Sequence, residues 1–289
     1  MQDSMQYKIF KVFNVSILLL IIFLTLYPFL NVVAQSFSSE AAISSGQVSL
    51  LPIGFNVDTY KTVMTDSMFW INYKNTVVYT VVGTAISMVL TTMFAYALSK
   101  RRLVGRKALT VFAVFTMFFN GGLIPNYVLI NSLGMGNTMW AIVIPGAISI
   151  YNMLIMKSFF ENMPEELEEA AAIDGLSQYG ILWKIVLPLS KAVLATMILF
   201  YAVGHWNSWF PAFLYLDQKE MFPVTIYLRN MIAGATGTTA AGATSADNLT
   251  QIAANIKSVT MVLTILPILT IYPFVQKHFV NGVMLGSIK

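Results

Sequence analysis

The chain has 289 residues, 57% hydrophobic and only 10% charged, with a mean hydropathy of +0.70. That composition excludes an ordinary soluble domain and places the chain in a bilayer. The formal charge of +4 does not argue for nucleic acid, because the basic residues stand in short groups beside apolar runs rather than along one polar face. With no cysteine there is no disulfide framework, thiolate nucleophile or Cys-ligated zinc site.

A hydrocarbon core about 30 Å thick needs roughly 20 apolar helical residues to cross it. Six such runs, at about 12–34, 75–98, 108–130, 138–158, 192–214 and 258–276, predict an all-α integral membrane protein of six transmembrane helices. Lys8 and Lys11 before a run ending Val32-Val33-Ala34 resemble a signal peptide. The apolar run exceeds the roughly 7 to 15 residues of a cleaved signal, however, and reads as a retained span. Six spans put both termini on one side. If that side is cytoplasmic, 12 of the 17 Lys and Arg lie inside and only Lys61, Lys74, Lys219, Arg229 and Lys257 lie outside, as the positive-inside rule requires. The outer segments, about 35–74 and 215–257, are then placed to meet an extracellular partner, and the Gly/Ala/Ser/Thr-rich stretch at about 233–248 is expected to be flexible. No internal repeat is visible, so a single membrane-spanning domain over 1–289, with its core at about 75–276, is predicted.

The third run is interrupted by MFFNGGLIPNY, which brings Asn120, Gly121, Gly122, Pro125 and Asn126 into an apolar helix. Entering near residue 108, position 120 lies about 18 Å deep at 1.5 Å per residue. Broken backbone at that depth survives where protein or a water-filled path satisfies it, which suits a substrate path or gate. A kink packed tightly on glycine is the alternative.

Between the fourth and fifth runs, the segment 161–188 begins with Pro164, suited to a first helical position, followed by Glu165 and Glu166, which complement the helix dipole. Leu167, Ala170, Ala171 and Asp174 recur at helical spacing as a narrow face, centred on alanine, that another protein could approach. Gly175 is placed to end this helix in a left-handed turn, Ser177 to cap a second helix running to Val186, and Pro188 to mark its join to the fifth span.

In the fifth run, YAVGHWNSWF places His205, Trp206, Asn207 and Trp209 roughly 20 Å in, at the level of Asn120. Trp206 and Trp209 would share one helical face, and aromatic rings with amide and imidazole groups make a carbohydrate surface. Equally, tryptophans near the outer end of a span serve as interfacial anchors. His205 has no acidic partner nearby in sequence that would make it a proton relay.

Glu169-Ala170-Ala171, Gly175, Ile185 and Leu187-Pro188 carry the spacing of the EAA loop, and the chain resembles the permeases of binding-protein-dependent ABC importers. FFNGGLIPNY, EEAAAIDG, HWNSWFPAFLYL and the ending YPFVQKHFVNGVMLGSIK extend the resemblance over nearly the whole chain, to the MalG-type carbohydrate permeases and their LplC/YtcP-like branch. Relatives usually run a residue or two beyond this terminus.

The resemblance implies a type I importer permease (MetI-like) fold in a bacterial inner or plasma membrane, moving an oligosaccharide or complex glycan by alternating access. It also implies a second related permease as heterodimer partner, two copies of an ABC ATPase, and an extracellular or periplasmic solute-binding protein. Glu165, Glu166, Leu167, Glu169, Ala170, Ala171, Asp174 and Gly175 would then couple the chain to the ATPase and catalyse nothing, with Glu169 reaching an arginine or backbone amide there. No G-x-x-x-x-G-K-[ST] loop occurs, so ATP and Mg belong to the ATPase and this chain is expected to bind no cofactor.

Three alternatives are weaker. A polyamine importer or an ion-coupled secondary transporter should carry charge inside its spans, and none of the 13 Asp and Glu falls within the six runs. A peptide importer of the same build differs only in its solute. An intramembrane enzyme would need a constellation that His205 and His278, far apart in the chain, do not supply.

Overall fold

The computed structural model describes residues 5–237, 255–270 and 273, and among these every regular element is helical. In chain order the helices are α1 (Met5–Ser36), α2 (Glu40–Ser44), α3 (Asp58–Thr65), α4 (Ser67–Ser99), α5 (Arg106–Phe118), α6 (Leu123–Ser132), α7 (Trp140–Val143) and α8 (Ile150–Glu161). They continue as α9 (Glu165–Ile173), α10 (Gln178–Ile181), a π-helical turn (Leu182–Val186), α11 (Leu187–Leu189), α12 (Lys191–Trp206), α13 (Phe210–Tyr215), a 3₁₀ turn (Lys219–Met221), α14 (Val224–Gly237) and α15 (Asn255–Thr270). Most of the predicted flexible stretch, from 238 onward, lies outside the described residues, as does almost all of the chain beyond 270.

Among the described residues the apolar runs form helices where composition places them, but only α1 and α4 are uninterrupted and long and apolar enough to cross a membrane. Counting each sharply bent pair as one span raises this to four. The third predicted run is neither one helix nor a kinked one, since α5 and α6 meet at 112°. The cause is local. The Asn120 side-chain oxygen accepts from the Gly122 amide at 3.0 Å and from the Asn126 amide group at 3.1 Å, while Gly122 takes a φ of +92° that side chains rarely adopt. Pro125 then falls in the first turn of α6, where its missing N–H is not needed. The fourth run is divided into α7 and α8, with Ser149 capping α8 by accepting from the Asn152 amide at 3.4 Å. The fifth ends at Trp206 and restarts at Phe210.

The chain divides into two compact units, one formed by Met1–Phe69 with Tyr227–Leu266 and the other by Trp70–Ile226 with Pro267–Lys289. In the first, the α1 residues from Tyr7 to Leu26 are exposed on every side, so this unit leaves them to lipid or another chain. Its tail end is tied down by polar contacts: the Asn255 amide group donates to the Ser38 carbonyl at 3.2 Å, and Tyr227 donates to the Asp66 carboxylate at 2.5 Å.

The second unit holds the main core. Ala95 and Leu98 of α4, Met153, Met156 and Phe160 of α8, Ala171 of α9, Ile181 of α10, Val186 of the π-helical turn and Met197 of α12 form one buried cluster. Where lipid surrounds helices, such contacts act through close packing rather than escape from water. The cluster therefore builds the 165–189 segment into the body of the unit instead of leaving it as a tethered loop.

Candidate functional site

Helix α9 begins after Pro164, which holds an extended conformation (ψ 123°) as the N-cap rather than the predicted first helical position. Glu165, Glu166 and Glu168 occupy the first turn, where carboxylates complement the helix dipole. At the other end Asp174 is the C-cap, and Gly175 takes φ +81°. The Leu176 amide donates to the Ala171 carbonyl and the Gly175 amide to the Ala172 carbonyl, both at 3.0 Å, which is the Schellman pattern. A Cβ on Gly175 would meet nothing within 4 Å, so glycine is needed there for its backbone angle and not for space. Ser177 caps the next helix by accepting from the Gly180 amide at 3.3 Å. That helix runs past Val186 through a π turn to Leu189, and the chain bends 87° into α12 after Pro188 rather than at it.

The alanine-centred face needs correction. Ala171 is 5% exposed and packs in the core cluster, so it anchors α9 to its own chain. The outward side carries Glu166, Leu167, Ala170, Ile173 and Asp174, with Ile173 86% exposed. Sequence reasoning missed Ile173, although a lone isoleucine one turn beyond Glu169 and Ala170 on a polar face was a usable signal. Tyr179 and Trp183, four residues apart on the following helix, are also exposed and were missed.

Four acidic residues of this segment, Glu161, Glu165, Glu168 and Glu169, are paired within the chain. Lys100 binds Glu168, Arg101 reaches Glu165 at 3.5 Å, Arg102 reaches Glu169 at 3.2 Å, and Arg106 binds Glu161, which Lys157 also contacts at 2.8 Å. Glu169, expected to seek a partner protein's arginine, thus already has one, though that pair is largely exposed and weak.

Deeper in the same unit lies a cavity of about 600 Å³. Asn120, Gly122 and Asn126 from the α5–α6 break line it, with Ser149 and Asn152 from the start of α8, Phe200, Tyr201 and His205 from α12, and Phe210 and Tyr215 from α13. Among the described residues, no Asp, Glu, Lys or Arg lines it. Gly121 and Gly122 have nothing nearer than Pro125, at 4.0 and 3.8 Å from a notional Cβ, so these glycines do not serve close helix packing. His205 hydrogen-bonds Ser87 Oγ through Nε2 at 3.2 Å and also bonds the Gly83 backbone. Tyr201 OH hydrogen-bonds Thr91 Oγ1 at 2.6 Å and accepts from the Ser149 amide at 3.0 Å.

The remaining predicted residues stand elsewhere. Gly121, Pro125, Trp206, Asn207 and Trp209 are not among the lining residues. Trp206 is buried edge-on against Tyr73, with ring centres 5.8 Å apart, and Asn207 caps α12 by donating to the Val203 carbonyl at 3.0 Å. Trp209 lies beyond that cap, so the shared helical face predicted for the two tryptophans does not exist. The aromatic lining comes instead from Phe200, Tyr201, Phe210 and Tyr215, which sequence reasoning missed. The Tyr201 and His205 spacing, together with Pro211 as a restart signal, could have found them.

Comparison with known proteins agrees with this architecture. Residues 77–284 match the family described as binding-protein-dependent transport system inner membrane component. The chain is 40% identical over its whole length to Protein LplC of Bacillus subtilis (strain 168), covering 98% of it. It is 38% identical, over 99% of this chain and all of the relative, to the polygalacturonan/rhamnogalacturonan transport system permease protein YtcP of the same organism. Among solved structures, a chain of a bacterial ABC transporter involved in import of the acidic polysaccharide alginate superposes with a TM-score of 0.84 at 34% identity, covering 96% of this chain and 98% of that one. The chain belongs to the binding-protein-dependent transport system inner membrane components, and its fold is that of an ABC importer permease.

Proposed function

We propose that this chain is one of two related permease subunits of an ATP-driven importer, and that it passes an oligosaccharide or complex glycan into the cell by alternating access. The observation that carries the reading is α9, whose acidic first turn, buried Ala171 and left-handed Gly175 hold Leu167, Ala170 and Ile173 outward as a docking surface. A separate ATPase pair takes that surface. ATP and Mg stay with the ATPase, and this chain performs no bond chemistry. Closure of the pair moves α9, the helices part around the cavity, and hydrolysis restores the resting state. The basic loop at Lys100–Lys107 and both termini are cytoplasmic in this reading.

The cavity supports the choice of solute. Asn120, Asn126, Asn152, Ser149 and His205 present neutral hydrogen-bonding groups, and Phe200, Tyr201, Phe210 and Tyr215 present rings to which sugar C–H faces can pack. The two relatives with named polymers, polygalacturonan/rhamnogalacturonan and alginate, place glycans first among the solutes to try. Proteoliposomes holding the complete transporter are expected to accumulate oligosaccharide only when ATP is supplied on the α9 side. Accumulation driven by an ion gradient without ATP would replace this reading with a secondary transporter.

A further inference from the structure

One helix connects the neighbourhood of α9 with side chains that line the cavity. Helix α4 runs without a break from Ser67 to Ser99, about 50 Å at 1.5 Å per residue. Just past its C-terminal end, Lys100 binds Glu168 of α9 while its Nζ sits 4.0 Å from the centre of the Tyr96 ring. These side chains are 26% and 19% exposed, against 79% and 67% for Arg101 and Glu165 and 89% and 57% for Arg102 and Glu169. Exposed pairs hold little, so the inner contacts decide where α9 sits. Arg106 reinforces them, since it binds Glu161 at the end of α8 and donates from Nε to the Leu98 carbonyl at 2.8 Å, closing the last turn of α4.

Toward the middle of α4, Gly83, Ser87 and Thr91 recur at four-residue spacing and meet α12. Ser87 holds His205, Thr91 holds Tyr201, and both of those side chains line the cavity. A Cβ at Gly83 would stand 2.8 Å from two atoms of the His205 ring and 2.9 Å from a third, so α12 lies as close to α4 as a glycine permits. Thirteen residues of rigid helix, about 20 Å, separate the Lys100 contact from Ser87. A rigid element held at two points along its length carries displacement between them.

We propose that Lys100 and Glu168 are positioning residues that clamp α9 to α4, and that α4 is the rod by which motion of α9 reaches the cavity wall through Ser87–His205 and Thr91–Tyr201. The proposal rests on the reading of α9 as the ATPase surface. It goes beyond that reading in naming the residues and the helix that pass the movement on.

The chain has no cysteine, so single reporters can be placed cleanly. In the complete transporter with its solute-binding protein, Leu123→Cys, at an apolar residue of the cavity lining that makes none of the contacts described above, reports on the cavity through its rate of modification by a membrane-impermeant thiol reagent, measured with and without ATP plus vanadate. Trapping with ATP is expected to change that rate about five-fold or more. Glu168→Lys and Lys100→Glu are each expected to abolish the change, and the combined swap to restore it, a rescue that mere loss of packing would not give. Full response in both single variants overturns the proposal, as does a swap that recovers nothing.

Should a single variant fail to assemble, Lys100→Cys combined with Glu168→Cys and joined by a short thiol cross-linker decides. Uptake that survives the cross-link agrees with a clamp that stays closed throughout the cycle. Uptake that stops, and resumes when a cleavable linker is cut, shows the clamp must open and overturns it. If the unmodified reporter shows no ATP response and the complex no ATP-dependent uptake, the ATPase reading itself fails. That result is distinct from a responsive parent with indifferent variants.

Discussion

The two polar regions of this molecule are built from opposite materials. Around α9, Lys100, Arg101, Arg102, Arg106 and Lys157 face Glu161, Glu165, Glu168 and Glu169. Around the cavity, amides, hydroxyls, an imidazole and aromatic rings meet, and among the described residues no carboxylate, ammonium or guanidinium joins them. The difference follows from solvent. At a wet edge an ion pair forms and breaks at little expense, so contacts can be exchanged when a partner docks. Within a bilayer an uncompensated charge is expensive, so a wall that must open and close uses neutral hydrogen bonds. In the reading proposed above, one chain offers an adaptable charged surface for force and an uncharged one for solute, and α4 contacts both α9 and side chains of the cavity lining.

The comparison can be broken most severely at Gly83. Gly83→Val is expected to abolish uptake, because its side chain must displace the His205 ring into the cavity or push α12 from α4; overpacking of this kind costs about 1–3 kcal/mol or more. Uptake at the unmodified rate would show that the α4–α12 seam is not tight in the working protein. Next is Glu161→Ala, which removes the one carboxylate shared by Arg106 and Lys157. With both partners only partly buried, a loss of about 1–2 kcal/mol is expected, below the range for a fully buried pair, read as a lower thermal midpoint in detergent.

Smaller again is Gly175→Ala, which creates no clash but forces a side chain into the left-handed region. An expected loss of about 1 kcal/mol should be partly recovered by Gly175→Asn. The smallest effect is expected for Arg102→Ala, whose exposed pair with Glu169 contributes at most about 0.5 kcal/mol. A large loss of stability there would mean that the outer pairs, and not Lys100–Glu168, seat α9.

The residues that were legible in the sequence are those whose role is local. Gly175 and Ser177 announce a helix end and a helix start by their own chemistry, and the structure has both. Asn120, Gly122 and Asn126 announce a break, because an Asn beside two glycines can satisfy its own turn. What stayed hidden depends on neighbours distant in the chain. The basic run at 100–107 reads as a topology signal, and nothing in its spacing tells that its partners lie at 161–169. Ala171 looks like the middle of a docking face because periodicity gives a face its position but not its direction. Trp206 and Trp209 were joined by extending helical periodicity across Asn207 and Ser208, where the helix had already ended.

The account stands or falls on whether an ATPase takes the α9 surface. Tagged chain, extracted gently from membranes that express its neighbours, can be weighed by native mass spectrometry with everything that travels with it. The account predicts one related permease and two copies of an ATPase, with the ATPase lost and the related permease retained when Ile173→Asp is introduced on the outward face of α9. A chain recovered alone or as a homodimer, under conditions that preserve known complexes of this kind, would contradict it.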